Sequence, residues 1–196
     1  MRDLLLARHG ESEYSLKALL NGDPGTSCPL TETGRAQARA LGEALRDQAI
    51  DLVAVTAFER VRETAELVLA GRQVPMLVLP ELNEPRYGDY EGGPIEPYLD
   101  WAWGSGALDA PPGGEHRGEI AARHAAGYRR LLERPEQAIL LVCHSLSVRY
   151  ALEAAAGRNP AARAEVVEYA TPHRLSRAEL ERAVALLEAW AAAPAF

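Results

Sequence analysis

Leu4-Leu5-Leu6-Ala7-Arg8-His9-Gly10-Glu11-Ser12 runs from aliphatic residues straight into arginine, histidine and glycine, and how it is read decides the fold. A short apolar run with a charged start and a glycine at its end suits a strand buried on both faces better than a helix. Gly10 permits a turn with little steric hindrance. In open α/β sheets ligands gather at the carboxyl ends of the strands, so Arg8 and His9 fall where chemistry is usually found. On this stretch alone, a polar turn whose arginine and histidine are merely solvated is an equal reading.

The residues that follow repeat the pattern. Glu11 to Pro29 is rich in Gly, Pro, Ser and Asp and reads as a long loop passing near the strand end. Thr31 can cap a helix in which Ala38, Leu41 and Leu45 recur at helical spacing. Leu52 to Thr56 is the next strand, and Phe58, Val61, Ala65 and Val68 mark a helix with Arg60 and Thr64 on another face near its start. Pro75 to Leu79 is a third strand. Alternating strands and helices indicate βαβ units, hence an α/β fold with a mostly parallel central sheet flanked by helices. Glu81 to Gly114 breaks into Pro, Gly and aromatic residues and reads as an insertion with one short helix. A helix over Glu115 to Glu133 leads to Ala138-Ile139-Leu140-Leu141-Val142-Cys143, a strand that ends at His144. Helix resumes around Leu146 to Ala156, Val166 to Tyr169 suits an edge strand, and Ser176-Arg177-Ala178-Glu179 is a capping box that opens a C-terminal helix.

Size and charge limit the function. The 196 residues, 47% hydrophobic, suit one domain with a sizeable core. A net charge of −7 argues against nucleic-acid or anionic-membrane binding through a broad basic face. With no apolar stretch of membrane-spanning length and no secretory signal, the expectation is a cytoplasmic protein, monomeric or homodimeric. Cys28 and Cys143 have no metal or redox spacing, and His116, His124 and His173 have no ligand spacing, so neither a metal nor another cofactor is expected.

Two strands ending in histidine, Arg8 beside the first and Arg60 on the helix after another strand would make one edge of the sheet cationic. On an acidic chain such a cluster suits a phosphoryl group, because guanidinium forks match phosphate oxygens and helix N-termini add N–H donors. A neutral imidazole can attack phosphorus and divide one hard step into two easier ones.

In order along the chain stand Arg8-His9-Gly10-Glu11-Ser12, Pro29-Leu30-Thr31-Glu32-Thr33-Gly34 with Gln37-Ala38, Arg60 with Thr64-Ala65, and Leu82-Asn83-Glu84 before Tyr87-Gly88-Asp89-Tyr90-Glu91-Gly92. Pro112-Gly113-Gly114-Glu115 and His144 complete the set. With this ordered set the chain resembles the histidine phosphatase superfamily, of phosphoglycerate-mutase-like fold, over most of its length. The resemblance implies a three-layer sandwich and a metal-independent phosphomonoesterase acting on a small phosphorylated metabolite. It further implies that His9 becomes phosphorylated, that Arg8, Arg60 and His144 hold the phosphoryl oxygens, and that Glu84 serves as acid and then base. The 81–114 insertion would act as a substrate cap. Asn21-Gly22 occupies a position that touches phosphate or substrate in many members, and Tyr87 is a further candidate contact. Two departures stand out: Ser15 where members commonly carry Asn, and Ser145 where glycine usually follows the second histidine. Ser145 can still donate its backbone N–H to substrate. A phosphoglycerate-type mutase and a catalytically silent phospho-ligand-binding protein are the alternatives. The absence of Lys and Arg from Gly93 to Gly114 weighs against the first, and intact His9 and Glu84 weigh against the second.

Overall fold

The computed structural model describes residues 1–163 and 165–196. Among these residues five strands form one sheet: β1 (Asp3–Arg8), β2 (Leu52–Val55), β3 (Met76–Val78), β4 (Ala138–Cys143) and β5 (His173–Ser176). Their order is β3-β2-β4-β1-β5, with the first four parallel and β5 antiparallel to β1. Seven helices accompany them among the described residues: α1 (Glu13–Leu16), α2 (Glu32–Ala44), α3 (Glu59–Leu69), α4 (Ile95–Gly104), α5 (Arg117–Leu132), α6 (Ser145–Ala155) and α7 (Arg177–Ala192).

The alternation of side chains along each strand divides the core into two layers. Leu4, Leu6, Leu52, Ala54, Ile139 and Leu141 face one side, where Ile120 and Tyr128 of α5, Val148 of α6 and Leu187 of α7 cover them. Leu5, Ala7, Val53, Val55, Leu140 and Val142 face the other, against Leu41 of α2 and Val61 and Ala65 of α3. All six residues of β4 are buried, as befits a central strand covered on both faces. A third, smaller cluster of Leu20, Tyr87, Tyr98 and Ala102 ties α4 to the loop after α1, where Leu20 N donates to Gly93 O at 2.9 Å.

Local sequence explains the element ends. Thr31 caps α2 by accepting from Gly34 N, and Ser176 and Glu179 form the capping box of α7. Three expectations need correction. The Glu11–Pro29 stretch is not all loop: Ser12 caps the short helix α1. Besides the one helix expected, the ten-residue α4, the 81–114 segment holds the 3₁₀ turn Gly88–Tyr90, and a second such turn, Pro80–Leu82, spans its start. The edge strand is His173–Ser176 and not Val166–Tyr169, of which Tyr169 makes only an isolated bridge to Arg8. Ala170, at φ 47°, turns the chain after Tyr169, and the next four residues to pair with β1 are His-Arg-Leu-Ser. Only Leu175 of these is buried, so pairing with β1 outweighs their weak strand propensity. No helix among the described residues is long and apolar enough to cross a membrane.

Candidate active site

Because β1, β2 and β4 are parallel, their carboxyl ends coincide. Arg8 pairs with Cys143 at the last rung, His9 and His144 are the next residues, and His9 N donates to Cys143 O at 2.9 Å. The two imidazoles stand edge to face with ring centroids 5.4 Å apart. β2 ends at the same level, placing Thr56 beside His144 and the start of α3, with Arg60, beside His9.

His9 is buried and held in one orientation. Its Nδ1 donates to Gly10 O at 2.7 Å, which fixes the tautomer and leaves the Nε2 lone pair facing the cluster. Arg60 Nε donates to that nitrogen at 3.2 Å, while its terminal nitrogens grip the Asn21 side-chain and backbone oxygens. Burial, with Arg60 and then Arg8 adding to it, holds the His9 imidazole well below its usual value and therefore neutral. Gly10 N in turn donates to Thr64 Oγ1 at 3.1 Å, one helical turn from Arg60.

His144 is fully buried against the edge of Phe58, and its Nε2 lies 2.9 Å from Thr56 Oγ1. Its Nδ1 has no hydrogen-bond partner among the described residues and lies 3.6 Å from Glu84 Oε1. Arg8 donates from Nη1 to Val167 O at 2.8 Å and lies over the Tyr169 ring at 3.7 Å, while its buried Nε is likewise unpaired among the described residues. Buried donors are rarely left without acceptors, and the Arg8 guanidinium lines the same cavity as His9, where an anion's oxygen can meet it.

Glu84 faces both histidines. Burial raises its pKa, and Arg60, Arg8 and Arg123 offset only part of that rise. Arg123 secures the loop that presents Glu84, donating to the carbonyls of Glu81, Asn83 and Glu84 and to both oxygens of Glu115. Asn83 Oδ1 accepts from Ala57 N at 3.0 Å and ties the same loop to the end of β2.

Glu84 and Tyr87 line three adjoining cavities. One of about 310 Å³ contains Arg8, His9, Ser15, Asn21 and Arg60. A second, about 160 Å³, extends toward Tyr98, Leu99, Trp103 and Leu146, and a third, about 410 Å³, toward Gly22, Arg86, Glu91 and Arg123. The other sequence candidates fall around these spaces. The Ser15 hydroxyl lies 2.9 Å from that of Ser12, at the mouth of the first cavity. Gly22 N donates to Glu91 Oε1 at 2.8 Å, and a Cβ there would overlap Pro85 O. Tyr87 packs edge to face on Tyr98. The Ser145 hydroxyl accepts from Val167 N at 2.9 Å, away from the phosphoryl position. Thr56, Arg123 and Tyr169, which contact these residues, carry no role in the sequence reading, and Thr64 figures there only beside Arg60, without a role of its own.

His9, Glu84 and His144 offer ligand atoms within 4.8 Å of one another, close enough for a metal ion. The guanidinium 3.2 Å from His9 Nε2, with Arg8 across the same cavity, instead suits the site to an anion. Cys143 has no part in this chemistry: burial pushes its thiol up to about 12.

Comparison with known proteins agrees with this geometry. The chain is 49% identical to an adenosylcobalamin/alpha-ribazole phosphatase of Salmonella typhimurium over 88 residues, 45% of this chain and 43% of that protein, so the match spans less than half of that relative's length. A 2,3-bisphosphoglycerate-dependent phosphoglycerate mutase of Bartonella henselae is 33% identical over 81% of this chain and 83% of its own. The alpha-ribazole phosphatase structure from Shigella flexneri superposes with a TM-score of 0.74 at 31% identity, covering 88% of this chain and 89% of that one. Residues 4–192 match the profile of the histidine phosphatase superfamily, branch 1, and the chain belongs to that family.

Proposed function

We propose that this protein is a metal-independent phosphomonoesterase that hydrolyses a small phosphorylated metabolite through a phosphohistidine at His9. The observation that carries the reading is the hydrogen bond from His9 Nδ1 to Gly10 O, which turns the Nε2 lone pair into an arginine-walled cavity. In the first step Nε2 attacks phosphorus and the bond to the ester oxygen breaks. Arg8, Arg60 and His144 Nδ1 hold the three remaining oxygens, and protonated Glu84 gives its proton to the leaving alcohol. In the second step Glu84, now a carboxylate, takes a proton from water as that water attacks phosphorus. The P–N bond breaks and His9 recovers its lone pair. The 81–114 segment, packed on the loop after α1 through Leu20, serves as the cap over the leaving group.

The test is rapid quenching with a labelled phosphate ester. Acid-labile, alkali-stable label on the parent protein and none on His9→Ala, with phosphate released in the presence of chelator, is the expected result. Absence of turnover across a broad panel of phosphate esters overturns the reading and favours a silent binding protein. The Bartonella relative motivates a second reading as a mutase. Interconversion of phosphoglycerates with a bisphosphoglycerate primer and without phosphate release would establish it.

A further inference from the structure

We propose that Ser145 is a positioning residue for Arg8, acting through the backbone of Val167; the inference rests on Arg8 holding the phosphoryl group. Among the described residues no carboxylate is bound to Arg8, and its place is set by the groups that hold it. Nη1 donates to Val167 O at 2.8 Å, and the guanidinium lies 3.7 Å from the Tyr169 ring centre. Both supports belong to the segment that runs past the end of β1, which the Tyr169 bridge to Arg8 and Ala170 N, donating to Arg8 O at 2.9 Å, tie to the Arg8 backbone on one side. On the other side Val166 is 72% exposed. There the anchor is Val167, whose N–H donates to Ser145 Oγ at 2.9 Å while its carbonyl accepts from Arg8 Nη1.

Ser145 is suited to this task by position. It is the first residue of α6, immediately after His144, so the hydroxyl is carried on the rigid element that also places the second histidine. α6 is capped by His144 without a side-chain cap bond, which leaves the serine hydroxyl free to reach outward. A glycine here would leave the Val167 amide without this acceptor, and the carbonyl that holds Arg8 would lose its anchor on the α6 side. The serine that breaks the motif thus couples the two halves of the anion cradle, His144 after β4 and Arg8 on β1.

A double-mutant cycle tests the coupling, with calorimetric affinity for inorganic phosphate and kcat/KM for one phosphate ester as readouts. Ser145→Ala is expected to weaken phosphate binding about fivefold to tenfold, the worth of one hydrogen bond. In an Arg8→Lys background, where the planar fork is already lost, the same change is expected to have less than a twofold effect. Ser145→Cys, close in size but a weak acceptor, is expected to follow alanine and serves if alanine lowers the folded yield. Unchanged affinity in Ser145→Ala, or an equal loss in both backgrounds, overturns the proposal while leaving the phosphatase reading intact. Unchanged affinity in Arg8→Lys alone overturns the assignment of Arg8 and the role of Ser145 with it.

Discussion

At the scale of single residues, Glu84 carries the sharpest expectation. Its raised pKa keeps the carboxyl protonated to higher pH than an ordinary glutamate, and the lowered pKa of His9 keeps the nucleophile neutral to lower pH. Phosphorylation of His9 therefore proceeds between these two pKa values whenever His9 is the lower, and slows as rising pH strips Glu84 of its proton. Glu84→Gln removes that alkaline limb and lowers kcat by about 10²–10⁴ for an alkyl phosphate. For an aryl phosphate, whose leaving group needs no proton, the loss in the phosphorylation step is expected to be far smaller. Comparing parent and variant pH profiles with one ester cancels the substrate's own ionisation; an alkaline limb that survives in Glu84→Gln would remove the acid role. His9, Glu84, Arg60 and His144 were legible because each lies in a short recognisable run. Thr56, Arg123 and Tyr169 were not, nor was the role of Thr64 beside Arg60, since each acts through contacts 39 or more residues away in the chain, and no local pattern announces that.

Between elements, the closest approach near the site is that of the Gly10 turn to the start of α2. A Cβ on Gly10 would stand 2.5 Å from Gly34 O, and a Cβ on Gly34 would overlap the Glu11 carbonyl. The glycines thus let α2 sit directly on the turn that holds His9. Gly34→Ala must push helix and turn apart, at a cost of about 1–3 kcal/mol. Urea unfolding is expected to show that loss, and kcat to fall with it because the Gly10 carbonyl that orients His9 moves. Gly42→Ala, near the far end of α2 and against Val68 of α3, separates the two effects: it is expected to lower stability while leaving kcat within about twofold. The long elements were legible because helical and alternating periods persist through them. The 166–176 region was not, because Val-Val-Glu-Tyr has the stronger strand propensity, yet the turn at Ala170 hands the pairing to His173–Ser176. Propensity is local, whereas an edge strand is selected by the partner it meets.

For the whole molecule, building the site from buried neutral imidazoles makes the fold acid-sensitive. Burial holds His9, His124 and His144 all well below the ordinary histidine value, with nearby arginines adding to the effect in each. Above about pH 6.5 neither the folded nor the unfolded chain protonates these rings, and they add no pH dependence. Below it the unfolded chain takes up protons that the folded chain refuses, so stability falls as pH falls, by about 1.4 kcal/mol per pH unit for each ring. While all three rings stay neutral in the folded chain, the slope is about 4 kcal/mol per unit, a large fraction of a typical domain's stability. Glu84 acts in the opposite sense, since its raised pKa makes the folded chain the better proton acceptor above the ordinary carboxylate range. The paired carboxylates with lowered values, Asp3, buried Glu115, Glu136, Glu153 and Glu179, lose their contributions only below that range. Between about pH 6.5 and 5 the histidines therefore dominate. His124 separates this effect from catalysis: its Nδ1 is buried without a partner among the described residues, and its Nε2 lies 3.5 Å from Asn83 O. His124→Asn is expected to remove about a third of the slope in urea stability between pH 6.5 and 5. An unchanged slope in that variant would mean that His124 takes up its proton in the folded state after all.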